Sequence, residues 1–232
     1  MVKVELWSDI VCPFCWIGKR HLEEAIARSG LEGEVEIVPR AFELDPHRRG
    51  TSTVFESIAK KYGGGVVAAR AMTQRVEAMG AEAGLTFDFE HALVASTFDA
   101  HRLVALAGRS ALAPETVERF MRAHFQEGAD VSDHGTLRRL AREVGLDAAE
   151  VTELLASDAF AEEVRSDEET ARAHRVSGVP FAVIDGRFGV HGAQPVEVFI
   201  EALSRARASQ EPPTAIGASD GAACDDDRCD VP

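Results

Sequence analysis

Two cysteines, Cys12 and Cys15, form the C-x-x-C pattern Cys12-Pro13-Phe14-Cys15 directly after a predicted first strand. Pro13 favours the first position of a helix, because a proline lacks the N–H group that would be unpaired there. The free N–H groups and the positive end of the helix dipole stabilise a thiolate on Cys12. Cys15, one turn further on, faces the same side and can close a disulfide. The pattern predicts exchange through a mixed disulfide, with Cys12 attacking and Cys15 resolving.

Zinc binding is the main alternative for this pair, because C-x-x-C is also a metal-ligand spacing. Zinc knuckles usually form tight turns that contain glycine, and Pro13-Phe14 followed by a helix fits such a turn poorly. Two further cysteines, Cys224 and Cys229, could complete a Cys₄ site, but Asp225-Asp226-Asp227 between them replaces the short knuckle spacing. We predict a redox pair and no metal, and the zinc content of the reduced protein separates the two hypotheses.

The elements around the motif are predicted from the spacing of apolar residues. Alternating residues predict a strand over Val2 to Ser8 and a second strand over Glu34 to Leu44. An apolar stripe of helical period lies between them and ends at Gly30, which predicts a helix that begins at Cys12-Pro13. The amino-terminal part is therefore a β-α-β unit.

The carboxyl-terminal part of the predicted fold is a hairpin followed by a helix. Val179 to Ile184 is rich in strand-forming residues, and the turn Asp185-Gly186 joins it to Phe188-Gly189-Val190. A last helix follows Gln194-Pro195. The order β-α-β, helical insertion, β-β-α predicts an α/β thioredoxin fold with a helical subdomain between its halves.

The domain boundaries follow from changes in pattern and composition. Residues 1–51 and 175–207 are predicted to form the thioredoxin-like domain, and residues 52–174 an inserted domain that is helical throughout, without a strand. Residues 208–232 change to Pro, Gly, Ala, Ser and Asp, which predicts a flexible tail that carries the second cysteine pair.

A proline at the start of the third main strand, Pro180, is expected to face the dithiol in this topology. Ser177-Gly178-Val179-Pro180 leads directly into that strand. We predict a cis Val179–Pro180 bond, which leaves the backbone of Val179 free to pair with an extended substrate. An ordinary trans proline at a strand start is the alternative.

Composition and charge exclude several partners. The formal net charge of −14 disfavours nucleic acids and anionic membranes as partners, because phosphate binding needs clustered Lys and Arg. No apolar run approaches the roughly 20 residues that cross a bilayer. The first seven residues alternate like a strand and not like the apolar region of a signal peptide, so a cytoplasmic location is expected.

Several separated segments together resemble the DsbA-like thioredoxin family, and within it the FrnE-type cytosolic oxidoreductases. The resemblance covers roughly residues 1–207 and depends on Trp7 to Gly18, Thr97 to His101, Gly178 to Phe181 and Gly192 to Gln194. It implies disulfide oxidase or isomerase activity on protein thiols, with Val179, Pro180, Pro13 and Phe14 at the substrate. It implies no cofactor beyond the cysteines, with glutathione as a possible reductant, and a monomer is favoured.

The same superfamily contains a second class of enzyme, the glutathione-dependent isomerases of the 2-hydroxychromene-2-carboxylate isomerase type. These enzymes usually have serine where Cys12 stands, so that they activate the thiol of glutathione. The presence of both Cys12 and Cys15 argues against that activity. A chaperone-like holdase with a thiol switch is a third hypothesis.

The remaining candidates concern the tail pair and the titratable residues. Some FrnE-type proteins carry a second cysteine pair in a carboxyl-terminal extension, and Cys224 and Cys229 resemble it, which predicts an auxiliary redox pair. Glu5, on the first strand, is a candidate acceptor for the proton of Cys15, and the alternative is an exposed residue of an edge strand. The other candidates are expected to be structural or exposed; they are Trp7, Trp16, His101, His124, His134 and His191.

Overall fold

A four-stranded sheet forms the centre of the protein in the computed structural model, which describes residues 1–210. The strands in chain order are β1 (Val2–Ser8), β2 (Val35–Ala41), β3 (Ser52–Thr53), β4 (Leu93–Val94), β5 (Phe181–Ile184) and β6 (Phe188–His191). The main sheet has the order β2-β1-β5-β6, with β1 parallel to β2 and the other neighbours antiparallel. This is the predicted thioredoxin topology, so the fold class is confirmed.

Helices cover both faces of the sheet and fill the insertion between its halves. In chain order they are α1 (Pro13–Arg28), α2 (Val54–Tyr62), α3 (Gly65–Glu82), α4 (Phe98–Gly108), α5 (Ala113–Glu127), α6 (His134–Glu143), α7 (Ala148–Leu155), α8 (Ala161–Ala173) and α9 (Val196–Gln210). Helices α2 to α8 all follow β2 and precede β5. The predicted division into domains at residues 51/52 and 174/175 stays a prediction.

The insertion differs from its prediction in one respect, because it contains two short strands. β3 pairs antiparallel with β4 through Ser52↔Val94 and Thr53↔Leu93. The Arg48 guanidinium reinforces this pair by donating to the Val94 carbonyl at 3.1 Å. A two-residue strand is too short to show an alternating pattern, so the prediction of an insertion without strands is wrong.

The two faces of β1 are covered by different helices. Val2, Val4 and Leu6 point into a core shared with α1 and α9. Trp7 points to the other face, where it packs with Phe181 and with α8, and its indole N–H donates to the Asp167 carbonyl at 2.9 Å. Alternate residues of β1 therefore belong to separate cores.

The first turn of α1 belongs to a third core, which extends through the inserted helices. Cys12, Cys15, Trp16 and Ile17 lie in this core. The Trp16 ring stacks on Phe125 of α5, with 5.8 Å between ring centroids. The start of α1 is thus held between the sheet and the insertion. None of the helices in residues 1–210 is both long and apolar enough to cross a membrane.

Candidate active site

Cys12 occupies the N-cap position of α1, as the sequence predicts. Its backbone is extended, with φ −97° and ψ 110°, and Pro13 begins the helix. The Cys12 N–H donates to the Asp9 carbonyl at 3.1 Å, and the Cys15 N–H donates to the Cys12 carbonyl at 3.1 Å. No side chain caps the helix. Cys12 therefore stands at the end of the helix where the free N–H groups and the positive end of the helix dipole favour a negative charge.

The second thiol of the motif is completely buried. Cys12 retains 4% of its accessible surface and Cys15 retains none, and both are free thiols. Burial, followed by the hydrogen bond and charge of Cys12, raises the pKa of Cys15 well above its ordinary value. Desolvation penalises a thiolate that has no access to water. Cys15 is therefore protonated at neutral pH, which suits a resolving thiol that must not compete with Cys12.

The loop before β5 faces Cys12. The Val179–Pro180 peptide bond is cis, as predicted. The Cys12 thiol donates to the Val179 carbonyl at an Sγ–O distance of 3.7 Å. The Pro180 carbonyl accepts from Gly192 N–H at 2.8 Å, which ties the loop to the end of the hairpin. No described residue accepts a hydrogen bond from Val179 N–H.

A glycine on α1 allows this loop to approach the helix. A Cβ atom added to Gly18 would lie 2.9 Å from Cγ of Pro180 and 3.4 Å from Cα of Ala193. The first distance is too short for two carbon atoms. Gly18 falls within the segment Trp7 to Gly18, but its spacing from Pro180 could not be inferred from the sequence.

The two central residues of the motif form the outward side of the site. Phe14 keeps 38% of its surface exposed, although it is a large apolar residue. Pro13 is half-buried beside it. The structure thus brings Cys12, Pro13 and Phe14 together with the Val179–Pro180 loop at one end of the sheet. The predicted auxiliary pair lies outside the described residues at positions 224 and 229.

A set of ion pairs joins α1 to the inserted helix α5 next to the dithiol. Glu118 accepts hydrogen bonds from the Trp16 indole at 3.0 Å and from Lys19 at 2.9 Å, and it also pairs with Arg20. Burial raises the pKa of Glu118, but the charges of Lys19 and Arg20 outweigh it and leave the pKa lowered. A cleft of about 370 Å³ runs along these residues and contains neither cysteine. The ion pairs of Glu118 fix α1 on the insertion.

Glu5 is not near Cys15, so the prediction for this residue is wrong. Its side chain lies on the β1 face opposite α1, where it pairs with Arg40, and Arg40 in turn pairs with Asp167 of α8. Burial raises the pKa of Glu5, but its hydrogen bonds and ion pair with Arg40 outweigh this and lower it. We call Glu5, Arg40 and Asp167 the outer cluster.

Asp9 accepts from Cys12 N–H through its backbone, and two buried histidines lie near Asp9; this cluster was not predicted. Asp9, His101 and His124 are each at most 4% exposed, and we call them the inner cluster. Nε2 of His101 lies 3.4 Å from Oδ1 of Asp9. Burial lowers the pKa of His124 to about 4, although the charge of Asp9 opposes this, and its Nδ1 atom has no described partner. Asp9 and His101 carry a sequence signal, through the segments Trp7 to Gly18 and Thr97 to His101, whereas His124 carries none.

The fold and site define a class: thioredoxin-like proteins with a C-x-x-C pair at the start of the first helix. The family model described as DSBA-like thioredoxin domain matches residues 3–204, and the chain belongs to this family of thiol–disulfide oxidoreductases. It is 40% identical to a probable DsbA oxidoreductase from Streptomyces coelicolor, with 100% of both chains covered and a TM-score of 0.86. It is 29% identical over 204 residues to the uncharacterized protein YwbO of Bacillus subtilis, covering 88% of this chain and 96% of that protein.

Two more distant solved structures share the fold. One is a 2-hydroxychromene-2-carboxylate isomerase, 16% identical with a TM-score of 0.66, covering 89% of this chain and 97% of the other. The other is the cytosolic disulfide reductase DsbM of Pseudomonas aeruginosa with GSH, 15% identical with a TM-score of 0.61, covering 89% and 96%. At these identities the likeness concerns the fold alone.

Proposed function

We propose that the chain exchanges disulfides with protein cysteines, with Cys12 as nucleophile and Cys15 as resolving thiol. The observation that supports this most directly is the position of Cys12. Its sulfur stands at the N-cap of α1 and contacts the Val179 carbonyl at 3.7 Å. Helix-start N–H groups favour the thiolate, and the thiolate is the reactive form.

The exchange has two steps when the protein acts as a reductant. The Cys12 thiolate attacks one sulfur of a substrate disulfide, whose S–S bond breaks, so that the second substrate sulfur leaves as a thiolate. Cys15 then loses its proton and attacks the Cys12 sulfur, which releases the first substrate sulfur and forms the Cys12–Cys15 disulfide. Two electrons pass from the cysteine pair to the substrate. The reverse sequence oxidises a substrate dithiol.

An extended substrate strand is held by the loop of Val179 and Pro180. The Val179 N–H has no described acceptor and lies two residues before the β5 strand, so a peptide can pair with it by strand addition. The exposed Phe14 ring and Pro13 offer apolar contact on the other side of Cys12. These features favour an unfolded or flexible protein segment over a compact small molecule.

We propose no cofactor beyond the cysteines, with glutathione as a candidate reductant that resets the pair. Two glutathione molecules, with one thiol each, would supply the two electrons and leave as one molecule of glutathione disulfide. We further propose a cytoplasmic, monomeric protein without nucleic-acid or membrane partners. The net charge of −14 supports the exclusion of polyanions.

The alternative function is a glutathione-dependent isomerase acting on a small molecule. The fold shared with a 2-hydroxychromene-2-carboxylate isomerase is compatible with it. The presence of Cys15 argues against it, because an enzyme that only activates glutathione has no use for a buried second thiol beside the first.

The decisive experiment compares Cys12→Ser and Cys15→Ser with the unmodified protein in insulin reduction and reactivation of scrambled ribonuclease. We expect Cys12→Ser to lose turnover in both assays and Cys15→Ser to accumulate mixed disulfides. Full turnover by Cys12→Ser would refute the proposal. Glutathione-dependent isomerisation of 2-hydroxychromene-2-carboxylate, without any activity on protein disulfides, would establish the alternative.

A further inference from the structure

A cleft of about 290 Å³ between α6 and α7 has an unusual set of charges. Three arginines line it, namely Arg138, Arg139 and Arg142, and no acidic residue does. The rest of its wall is small or mostly apolar and consists of Gly135, Leu146, Ala148, Val151 and Thr152. The protein carries a formal net charge of −14, so a cleft whose charged side chains are all cations is an exception.

Two of the three guanidinium groups have no carboxylate partner among residues 1–210. Arg139 pairs with Glu143 at 2.8 Å, but neither Arg138 nor Arg142 forms an ion pair there. These two residues are four positions apart on α6, and like charges at this spacing destabilise a helix. Asp147, the N-cap residue of α7, uses its carboxylate to accept from two N–H groups of that helix. The cleft therefore holds positive charge that residues 1–210 do not neutralise.

The cleft beside α1 does not share this property. It has a volume of about 370 Å³ and is lined by four cations, but three glutamates stand among them. Each of these cations forms an ion pair with a carboxylate; they are Lys19, Arg20, Arg119 and Arg122. An anion would have to displace these carboxylates, whereas the cleft between α6 and α7 offers free donors.

An acidic segment of the same chain, residues 225–230, has the complementary charge. Residues 211–232 contain six acidic residues and a single arginine, Arg228, and no lysine. Asp225 lies 15 residues after Gln210, the last residue of α9. A chain of that length spans at most about 50 Å. A compact body of 210 residues has a radius of gyration of about 17 Å, so this span exceeds its width and can reach the cleft.

Attachment to the same chain makes weak ion pairs sufficient. An exposed pair between an arginine and a carboxylate contributes little by itself, because water and salt screen it. Binding within one molecule proceeds at an effective concentration in the millimolar range, so several weak pairs can hold a segment that would not bind as a separate peptide. An arginine also binds a carboxylate through two parallel N–H···O bonds. Two free guanidinium groups thus suit an aspartate-rich segment.

We propose that residues 225–230 of this chain bind in the cleft between α6 and α7, with their carboxylates paired to Arg138 and Arg142. The inference goes beyond the proposed function, because it concerns where the second cysteine pair is held and not the chemistry of the first. The helices that pack on α1 are chiefly α3, α5 and α9, none of which lines the cleft. Binding therefore holds Cys224 and Cys229 at α6 and α7, and high salt releases them.

The test locates the acidic segment by paramagnetic relaxation. The full chain keeps Cys229 as its only cysteine, the other three being replaced by serine, and Cys229 carries a nitroxide. We expect the amide signals of Ala148 and Thr152 in the isotope-labelled protein to lose most of their intensity in low salt. They should regain it in about 1 M salt, where the Debye length falls to about 3 Å. Chemical reduction of the nitroxide gives the reference intensity.

Arg138→Glu combined with Arg142→Glu should abolish this loss of intensity, because both proposed partners then repel the segment. The matched control is Arg109→Glu combined with Arg187→Glu, which should keep the effect. It changes the net charge equally at two exposed arginines that lie outside the cleft and form no ion pair among the described residues. Replacing residues 225–227 by lysine in the cleft variant should restore the loss of intensity.

Replacing residues 225–227 by asparagine tests the same contact without a change in residues 1–210, and it decides if the cleft variant does not fold. Three results would overturn the inference. They are cleft signals that the nitroxide leaves unchanged, an equal loss of the effect in cleft and control variants, and an effect on isotope-labelled molecules that carry no nitroxide themselves. The last would mean that a second copy of the chain fills the cleft. No measurement here uses disulfide exchange, so failure of the proposed function would leave these results unaffected.

Discussion

The inner and outer clusters each contain a carboxylate of the β1 region, but they give it different surroundings. In the outer cluster the Glu5 side chain pairs with Arg40, and both remain partly exposed, at 23% and 31%. In the inner cluster Asp9 is fully enclosed and its ionisable partner is His101. The outer carboxylate has a permanent counterion and access to water, whereas the inner one has neither.

This difference shows that residue type and nearness in sequence do not decide the surroundings of a carboxylate in this region. A carboxylate beside a guanidinium in water stays ionised over a wide pH range and gains little from taking a proton. The four predictions below test this contrast, beginning with the largest effect.

The inner cluster should make the protein sensitive to acid through His124. Its pKa is about 4 when folded and 6.5 in the unfolded reference. Below pH 6.5 the unfolded chain binds a proton at His124 that the folded protein does not bind. The free energy of unfolding therefore falls as pH decreases from 6.5 through 4. The full loss is about 3 kcal/mol. Urea denaturation at a series of pH values measures it.

His124→Gln should remove this part of the pH dependence, because glutamine does not titrate. The control is His47→Gln, which removes an exposed histidine and should retain the wild-type slope between pH 6.5 and 4. Equal slopes for wild type and His124→Gln would contradict the assignment.

The contact between α1 and the Pro180 loop should tolerate no added atom. Gly18→Ala places a methyl group 2.9 Å from the proline ring, which cannot rotate away. We expect a loss of about 1–3 kcal/mol in unfolding free energy, as in other overpacked sites, together with reduced disulfide exchange as the loop moves from Cys12. Thermal and denaturant unfolding give the first quantity, and insulin reduction gives the second.

Gly108→Ala is the matched helical control, since its added Cβ would meet nothing closer than 4.0 Å. Alanine favours a helix over glycine, so this variant should keep its stability or gain up to about 1 kcal/mol. A Gly18→Ala protein as stable and active as Gly108→Ala would show that the loop has more room than the structure indicates.

Changes in the outer cluster should have little effect on stability and none on activity. Glu5→Gln removes a partly exposed ion pair, which is worth less than about 1 kcal/mol. Because Arg40 lowers the Glu5 pKa despite partial burial, this contribution exists above the unfolded pKa and disappears as pH falls through the folded pKa. Unfolding at pH 7 and at pH 3 measures the difference between variant and wild type. A loss of disulfide exchange in Glu5→Gln would contradict this prediction, because the outer cluster would then affect activity.

The smallest structural effect is expected from the tail, because replacing Cys224 and Cys229 by serine changes only two side chains outside the described residues. If the pair exchanges electrons with Cys12 and Cys15 at high effective concentration, isomerase turnover should change while the rate at which Cys12 reacts with the chromogenic disulfide DTNB stays the same. Equal oxidase and isomerase rates in both proteins would mean that the tail cysteines form an incidental dithiol.

The sequence predicts those parts of the site that local chemistry determines. The N-cap position of Cys12 follows from Pro13, and the cis Val179–Pro180 bond follows from the order of the strands. The inner cluster could not be predicted in this way. Asp9 and His101 are 92 positions apart, and they meet only because α4 packs on the loop before α1. That packing depends on side-chain shapes throughout the insertion, and no short pattern records it.

Because Cys15 is completely buried, the rate at which a reagent modifies its sulfur measures how often this part of the protein opens. In a protein whose tail cysteines are serine, a bulky maleimide should modify one sulfur of each native molecule, because Cys15 offers no surface. The sulfur of Cys15 can be modified only after the first turn of α1 has detached from the insertion. The labelling rate at low reagent then reports the free energy of that local opening, and its dependence on urea distinguishes a frayed helix start from global unfolding.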